Sequence, residues 1–241
     1  MAVTYIVASG KGGAGKSSVT AGLSLALCER GKKVLCVDAD IGFKSLDLIF
    51  NVGEGAVFSW LDVIAGSCTV SEAVVKCGEN GPCLLIPPND YSPLITGESF
   101  KVMLSMCKID FDYIFIDVPA GWNEISEYAA SAADKALVII TPDAVCVRSA
   151  AGVVDRLSES AVETRLIVNA LVKDEVLIGN QLQLDFCVDG VRAGLIGVIP
   201  KDSTVALLPL SKKLSQYVFS AFRRTAARID GERIPFKSKN L

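Results

Sequence analysis

The hydrophobic positions of the chain fall into short runs separated by stretches of helical periodicity. The runs are rich in Val and Ile and apolar on both sides, which is typical of strands in a parallel sheet covered on both faces. They predict strands at Val3–Ala8, Val34–Val37, Cys83–Pro87, Tyr113–Val118, Ala136–Thr141, Leu166–Val168 and Leu195–Ile199.

Between these runs, apolar residues recur at helical spacing. They do so over Val19–Leu27 and Phe100–Cys107, and a third set predicts a C-terminal helix from about 211 to 230. Strand–helix alternation of this kind favours the α/β class. We expect residues 1–241 to form a single domain, a doubly wound, mainly parallel sheet with helices on both faces. Ligands of such sheets bind beyond the carboxyl ends of the strands.

Composition narrows the classes of function. The 241 residues include no histidine, which excludes Ser-His-Asp and Cys-His nucleophiles and His-ligated zinc. The net charge of −3 argues against a protein that coats nucleic acid through bulk charge. No uncharged run reaches the roughly 18 residues of a membrane span, and no basic region typical of a signal peptide begins the chain. We therefore expect a cytoplasmic protein whose eight scattered cysteines are reduced core thiols.

A glycine-rich segment connects the first predicted strand to the first predicted helix. Gly10, Gly15, Lys16 and Ser17 fit the pattern G-x-x-x-x-G-K-[ST] of a phosphate-binding loop. Its glycines let backbone N–H groups surround phosphate oxygens, and the helix N-terminus adds the positive end of its dipole. We expect Lys16 to reach the β- and γ-phosphates and the Ser17 hydroxyl to ligate Mg²⁺. The predicted nucleotide-binding residues here are Gly10, Lys11, Gly12, Gly13, Ala14, Gly15, Lys16, Ser17 and Ser18.

Lys11 is an additional lysine that an ordinary phosphate loop does not require. Near the tip of such a loop its side chain would point away from its own nucleotide. One interpretation is that it projects into a neighbouring subunit's site and neutralises phosphate charge there, as an arginine finger does in trans. The other is that it is a solvated loop lysine.

Acidic residues follow two of the predicted strands. Asp38 and Asp40 end the second run and lie two residues apart, so they share one face of an extended segment. Asp117 ends the fourth run, and Gly121 follows it with a backbone N–H that can face the γ-phosphate. We predict that Ser17 and Asp117 serve the metal and its waters, and that of Asp38 and Asp40 one faces the metal's waters and the other orients the attacking water.

These segments resemble a known family. Lys11–Ser17, Asp38–Gly42 and Asp117–Gly121 are similar to the corresponding motifs of the deviant-Walker P-loop ATPases of the MinD/ParA family. The MinD branch, whose members position bacterial division, is the more similar. The segments that indicate this are Ile41–Leu48, Val198–Asp202 and Gly231–Phe236.

The resemblance implies ATP and Mg²⁺ as cofactors of a switch in which ATP drives dimerisation and its hydrolysis resets the switch. The same resemblance implies that Asp38 serves the metal and Asp40 positions the water. It implies an ATP-sandwiched homodimer in which Lys11 crosses the interface, with Lys11, Lys16 and Asp40 as the catalytic residues. It also implies that the adenine is contacted by residues at the ends of two later strands, namely Asn169, Pro200 and Asp202.

The chain departs from the MinD pattern in two places. Val147–Gly152 keeps an arginine but lacks the acidic residues expected in the partner-binding helix, which leaves the identity of a division-type regulatory partner open. After Pro235 the apolar residues are Phe236 and Leu241, too few for an amphipathic membrane-binding helix. We therefore expect no membrane attachment of this chain.

Two alternatives in the same superfamily make different demands. An iron–sulfur carrier needs closely placed thiolates, and the nearest pair, Cys77 and Cys83, has the wrong spacing. A ParA-like ATPase that partitions DNA would need a basic patch, which the net charge disfavours. The residues available for it on the last predicted helix are Lys212, Lys213, Arg223, Arg224 and Arg228.

Overall fold

The computed structural model describes residues 2–206 and 214–236. Within these ranges the chain forms one eight-stranded sheet with the strand order β3-β4-β2-β5-β1-β6-β7-β8. Neighbouring strands are parallel except for β3, which is antiparallel to β4. The strands are β1 Val3–Ala8, β2 Val34–Asp38, β3 Val75–Lys76, β4 Cys83–Leu85, β5 Tyr113–Asp117, β6 Lys135–Ile140, β7 Glu163–Leu171 and β8 Gly194–Pro200.

Helices cover both faces of the sheet. They are α1 Lys16–Glu29, α2 Leu46–Phe50, α3 Trp60–Ile64, α4 Val70–Ala73, α5 Gly97–Cys107, α6 Glu124–Ala132, α7 Ala144–Glu159, α8 Lys173–Leu177, α9 Leu184–Val191 and α10 Gln216–Ile229. Apolar side chains of α1 and α10 form the core on one face. Those of α3, α5, α6, α7 and α9 form the larger core on the other. The predicted doubly wound α/β fold is confirmed.

Most strand boundaries differ from the prediction by one or two residues, and three larger differences concern β7, β3 and the last helix. β7 extends beyond the predicted Leu166–Val168, because the strand itself carries polar residues on both sides of the apolar run, Glu163, Thr164 and Arg165 before it and Asn169 after it. β3 was not predicted at all, since two residues at a sheet edge leave no periodic signal. The last helix begins at Gln216 because the Ser215 side chain accepts a hydrogen bond from the Val218 N–H and caps it. The preceding residues 211–213 of the predicted helix lie outside the described ranges.

The remaining general expectations concern the thiols and the membrane. All eight cysteines are free, and Cys36, Cys77, Cys107, Cys146 and Cys187 are buried. In the two ranges that the structure covers, no helix is both long and apolar enough to cross a bilayer.

Strand order determines where the predicted site residues meet. β1 lies between β5 and β6, and β5 lies between β1 and β2. The register places Asp38 of β2 beside Asp117 of β5. The loop that follows β1 therefore emerges next to both aspartates, at the carboxyl edge of the sheet where such folds bind ligands.

Candidate nucleotide-binding site

The glycine-rich loop runs from the end of β1 to the first residue of α1. Gly15 has a φ of 85°, a left-handed conformation that glycine adopts without strain, and it precedes the helix. Gly10 lies against α7: a Cβ at this position would be 2.3 Å from the carbonyl carbon of Ser149. The loop is therefore seated on a neighbouring helix and leads directly into the N-terminus of α1, where a helix favours anions.

Lys16 and Asp117 form the charged centre of the site. The Lys16 ammonium lies 3.1 Å from one carboxylate oxygen of Asp117, and both side chains are buried. The second oxygen of Asp117 is buried and has no hydrogen-bond partner among the described residues. Because an unpaired buried carboxylate oxygen is costly, this atom marks a place for a further donor or cation.

Asp38 turns its carboxylate toward the segment that follows β2. One oxygen accepts from the Asp40 N–H at 3.1 Å, and the other accepts from the N–H groups of Ser45 and Leu46, each at 3.1 Å. Burial and, to a smaller extent, the charge of Asp117 raise the pKa of Asp38 to about 7, against the lowering effect of these three bonds. Two buried carboxylates thus end neighbouring strands while the Lys16 ammonium pairs with Asp117, which leaves an excess of negative charge when both are ionised.

This charge distribution fits a magnesium ion. The Ser17 hydroxyl lies near the aspartate pair and accepts a hydrogen bond from the Ser45 hydroxyl at 3.0 Å. Among the described residues no group of three or more His, Cys, Asp or Glu is arranged to hold a metal. Mg²⁺ commonly binds to one or two protein ligands and takes water and substrate phosphate for the rest. Ser45 links Ser17 to Asp38, and Asp38 lies beside Asp117 in the sheet; that the three serve a metal stays a prediction.

Asp40 lies at the edge of this centre. Its side chain is half-buried, and burial raises its pKa, with Lys16 lowering and Asp117 raising it. Both charges of the centre therefore act on Asp40. Its backbone N–H donates to the Asp38 carboxylate, which also accepts from the N–H groups of Ser45 and Leu46 further along the same segment.

Lys11 has a weak partner within its own chain. Its ammonium is 3.9 Å from a carboxylate oxygen of Asp143, which caps α7, and the two side chains are 50% and 43% exposed. Exposed ion pairs of this kind contribute little, typically below about 1 kcal/mol. The Lys11 side chain is thus directed from the loop toward Asp143 and not into the buried centre.

The Gly121 N–H does not meet the expectation that it is free to face a phosphate. In this structure it donates to the carbonyl of Ser9 at 2.8 Å, which ties the segment after β5 to the start of the phosphate loop. A phosphate contact from Gly121 would require this bond to break. The left-handed φ of 84° at Gly121 is what lets the chain turn toward Ser9.

The three predicted adenine contacts have different surroundings. The Asn169 amide donates to the Ala14 carbonyl at 2.9 Å, and a Cβ at Gly15 would lie 2.2 Å from its nitrogen, so Asn169 braces the phosphate loop. Asp202 accepts bonds from Thr204 and from the Ser215 hydroxyl and holds the turn after β8. Pro200 ends β8. Contact with adenine remains a prediction for all three.

Sequence and structure comparisons agree with this geometry. Residues 3–165 match the sequence profile of a family described as an AAA domain. The septum site-determining protein MinD of Synechocystis sp. is 34% identical to this chain, over 96% of this chain and 90% of the relative. This chain belongs to the MinD family.

Solved structures of MinD proteins have the same fold. MinD in the MinC:MinD cell division protein complex of Aquifex aeolicus superposes with a TM-score of 0.88 at 32% identity, covering 98% of this chain and 99% of that one. The septum site-determining protein MinD of Pyrococcus horikoshii, complexed with Mg-ADP, gives a TM-score of 0.84 at 26% identity, covering 96% and 97%. The eight-stranded sheet and its flanking helices are therefore the MinD fold.

Two contributions of this MinD family member were missed in the sequence. Ser45 donates its hydroxyl to Ser17 and its N–H to Asp38, and the backbone of Ser149 forms the seat of Gly10. The signal for Ser45 was its place in the segment after the two aspartates. Nothing in the local sequence marks Ser149, because a contact with backbone does not depend on its side chain.

Proposed function

We propose that this MinD family member is a Mg²⁺-dependent ATPase that dimerises with ATP and acts as a switch in division-site placement. The observation that carries the proposal is the buried pair of Lys16 and Asp117 at the mouth of the phosphate loop, with one Asp117 oxygen unpartnered. The Mg-ADP complex of the MinD protein from Pyrococcus horikoshii supports the choice of ligand.

Each residue of the centre has a role that its surroundings support. The loop N–H groups and the N-terminus of α1 bind phosphate oxygens, and Lys16 exchanges part of its contact with Asp117 for the β- and γ-phosphates. Ser17 holds the metal directly, and Asp38 and Asp117 hold its waters. Mg²⁺, when bound, neutralises charge that develops on the phosphates.

Hydrolysis requires a water molecule in line with the bond to the γ-phosphate. Asp40 is the carboxylate available for orienting it, because Asp38 already accepts three backbone hydrogen bonds. Lys11 gives up little when it leaves Asp143, since both side chains are exposed and 3.9 Å apart. It is therefore available to bind phosphate in a second subunit, which makes the active state a dimer.

A protein partner of the division type follows from the same family. MinD of Aquifex aeolicus was solved in a complex with MinC. In this chain Arg148 of α7 is exposed, as a docking residue must be, while the neighbouring positions carry no acidic side chain. The partner of this chain therefore binds a surface of α7 that has Arg148 but no acidic side chain next to it.

The DNA-partitioning alternative receives less support. Arg223 is paired with Glu29, and Arg228 donates to the carbonyls of Ile234 and Ile196. Lys212 and Lys213 lie outside the described residues. These contacts use Arg223 and Arg228 within the fold.

The test combines turnover with assembly. The purified chain should release phosphate from ATP with Mg²⁺, stop when the metal is chelated, and sediment as a dimer with ATP but as a monomer with ADP. Lys16→Ala should bind nucleotide poorly. A chain that binds ATP tightly yet neither hydrolyses it nor changes its oligomeric state would refute the proposal.

A further inference from the structure

The carbonyl of Asp38 lies just past the end of a strand ladder. β2 and β4 pair in parallel, with Val37 opposite Leu85, and the Ala39 N–H donates to Asp117 on the other side. Backbone groups of successive strand residues point to opposite sides, so the Asp38 carbonyl faces β4. Continuing the register brings it to the nitrogen of Pro87, which has no hydrogen to donate.

Trp60 supplies the missing donor. Its indole N–H donates to the Asp38 carbonyl at 2.9 Å, and its backbone N–H donates to the carbonyl of Ile86 at 3.0 Å. One residue thus closes the ends of β2 and β4, where the two strands leave the sheet.

The Trp60 ring is held rigidly. It is fully buried and packs edge-on against Phe100, with ring centroids 5.5 Å apart. It is the first residue of α3, whose start is fixed by a capping box between Ser59 and Asp62. Because the ring cannot move without disturbing the core, the indole N–H is a fixed point for the backbone it binds.

The two ends of Asp38 are therefore held by different parts of the protein. The carbonyl is held by Trp60, and the carboxylate gathers the N–H groups of Asp40, Ser45 and Leu46. A change in the direction in which the chain leaves β2 would move this whole segment, including the Asp40 side chain.

We propose that Trp60 is a positioning residue for hydrolysis: its indole bond to the Asp38 carbonyl fixes the path of residues 39–46 and with it the placement of Asp40. The assignment of hydrolysis rests on the proposed function. Positioned groups are sensitive to small displacements, and a shift of about 1 Å can cost as much as 10²-fold in rate. Nucleotide affinity depends on the phosphate loop, which Trp60 does not contact through any of these bonds.

The first test is Trp60→Phe, which keeps an aromatic ring and removes the N–H. We expect kcat to fall at least about tenfold, while KM and the dissociation constant for ATP stay within about threefold. In nucleotide-free protein, amide hydrogen exchange at Asp40, Ser45 and Leu46 should become faster than in the wild type. Exchange in the strands of the sheet should be unchanged.

Phe100→Leu is the matched control. It weakens the packing under the same ring and leaves the indole N–H in place, so its unfolding temperature should fall while kcat remains within about twofold of the wild type. Benzothienylalanine at position 60, which has the indole shape with sulfur in place of N–H, should reproduce the kcat loss if Trp60→Phe folds poorly.

Two results would overturn the proposal. One is a normal kcat in either variant that lacks the N–H; the other is a loss of kcat in Phe100→Leu equal to that in Trp60→Phe, which would mean that packing alone matters. If the wild type does not hydrolyse ATP, the proposed function fails. The exchange measurement then still decides whether Trp60 fixes the segment, because unchanged exchange at the three amides rules it out.

Discussion

A few buried charges define what the site can bind, and they belong to Lys16, Asp38 and Asp117. Asp117 pairs with Lys16 through one oxygen, and Asp38 is surrounded by backbone N–H groups. The sequence predicted these residue types because they follow a strand or the glycine-rich loop. It could not predict that Asp38 would hold three amides or that the Gly121 N–H would bind Ser9, because both depend on how separate segments pack.

Asp40→Asn tests the division of labour between the aspartates. Removing the charge of Asp40 should slow phosphate release by at least about 10²-fold, the scale for a positioned catalytic group, while ATP binding and dimerisation persist. Phosphate release and sedimentation with ATP measure the two effects. Asp47→Asn, which removes the charge of a nearby aspartate in α2, is the control and should keep wild-type turnover. An equal loss of ATP affinity in Asp40→Asn would contradict the assignment.

Lys11→Ala tests whether Lys11 acts in the site of a second subunit. Its ammonium has only an exposed contact, 3.9 Å from Asp143, so truncation should leave the fold and nucleotide binding nearly unchanged. The ATP-dependent dimer should be lost in sedimentation experiments. Lys108→Ala, which removes another ion-paired lysine, should still dimerise. A Lys11→Ala protein that dimerises normally would favour the solvated-lysine interpretation.

At the scale of elements, the phosphate loop depends on α7 as much as on its own glycines. The predicted strand–loop–helix unit is correct, since β1, the loop and α1 appear in the expected order. The contact between Gly10 and the backbone of Ser149 was not predictable, because the two residues meet only after β6 has been placed beside β1. The missed β3 and the extended β7 have the same cause: pairing with a neighbour, not local periodicity, sets their length.

Gly10→Ala tests this contact. A Cβ at Gly10 would lie 2.3 Å from the Ser149 carbonyl carbon, so either the loop or α7 must shift. We expect the free energy of unfolding to fall by about 1–3 kcal/mol, and ATP to bind more weakly because the loop is displaced. Urea unfolding and nucleotide titration measure both.

Gly152→Ala is the control on α7, the helix that also carries Ser149. It lies in the interior of α7 with no atom within 4 Å of its added Cβ, so alanine should raise the free energy of unfolding by about 0.5–1 kcal/mol. Equal stability of Gly10→Ala and Gly152→Ala would show that the loop is not seated on α7.

At the scale of the whole molecule, the fold concentrates negative charge at the carboxyl ends of two neighbouring strands that are otherwise apolar. β2 and β5 are buried along their length and end in Asp38 and Asp117. Residues far apart in the chain, from Gly10 to Asn169, meet there because the strand order brings their strands together. The folded, nucleotide-free protein therefore carries an electrostatic cost at its binding site, which a bound cation relieves.

That cost predicts a dependence of stability on pH. The pKa of Asp38 is raised from its ordinary 3.8 to about 7, so the folded state binds this proton more tightly than the unfolded chain does. Its contribution to stability is fully present below about pH 4 and is lost as the pH rises toward 7. The pKa of Asp40 is raised as well and acts in the same direction.

The window between pH 5 and 7.5 is favourable for this measurement because the chain has no histidine to titrate there. We expect the free energy of unfolding of the nucleotide-free protein to fall by at most about 1.4 kcal/mol per pH unit, measured by urea unfolding at several pH values. Asp38→Asn should flatten this slope. Glu163→Gln should not, because ion pairs lower the pKa of Glu163 and its effect lies at more acidic pH. With Mg·ADP bound the wild-type slope should also shrink, since the cation favours both ionised aspartates. A slope that persists in Asp38→Asn would place the titrating group elsewhere.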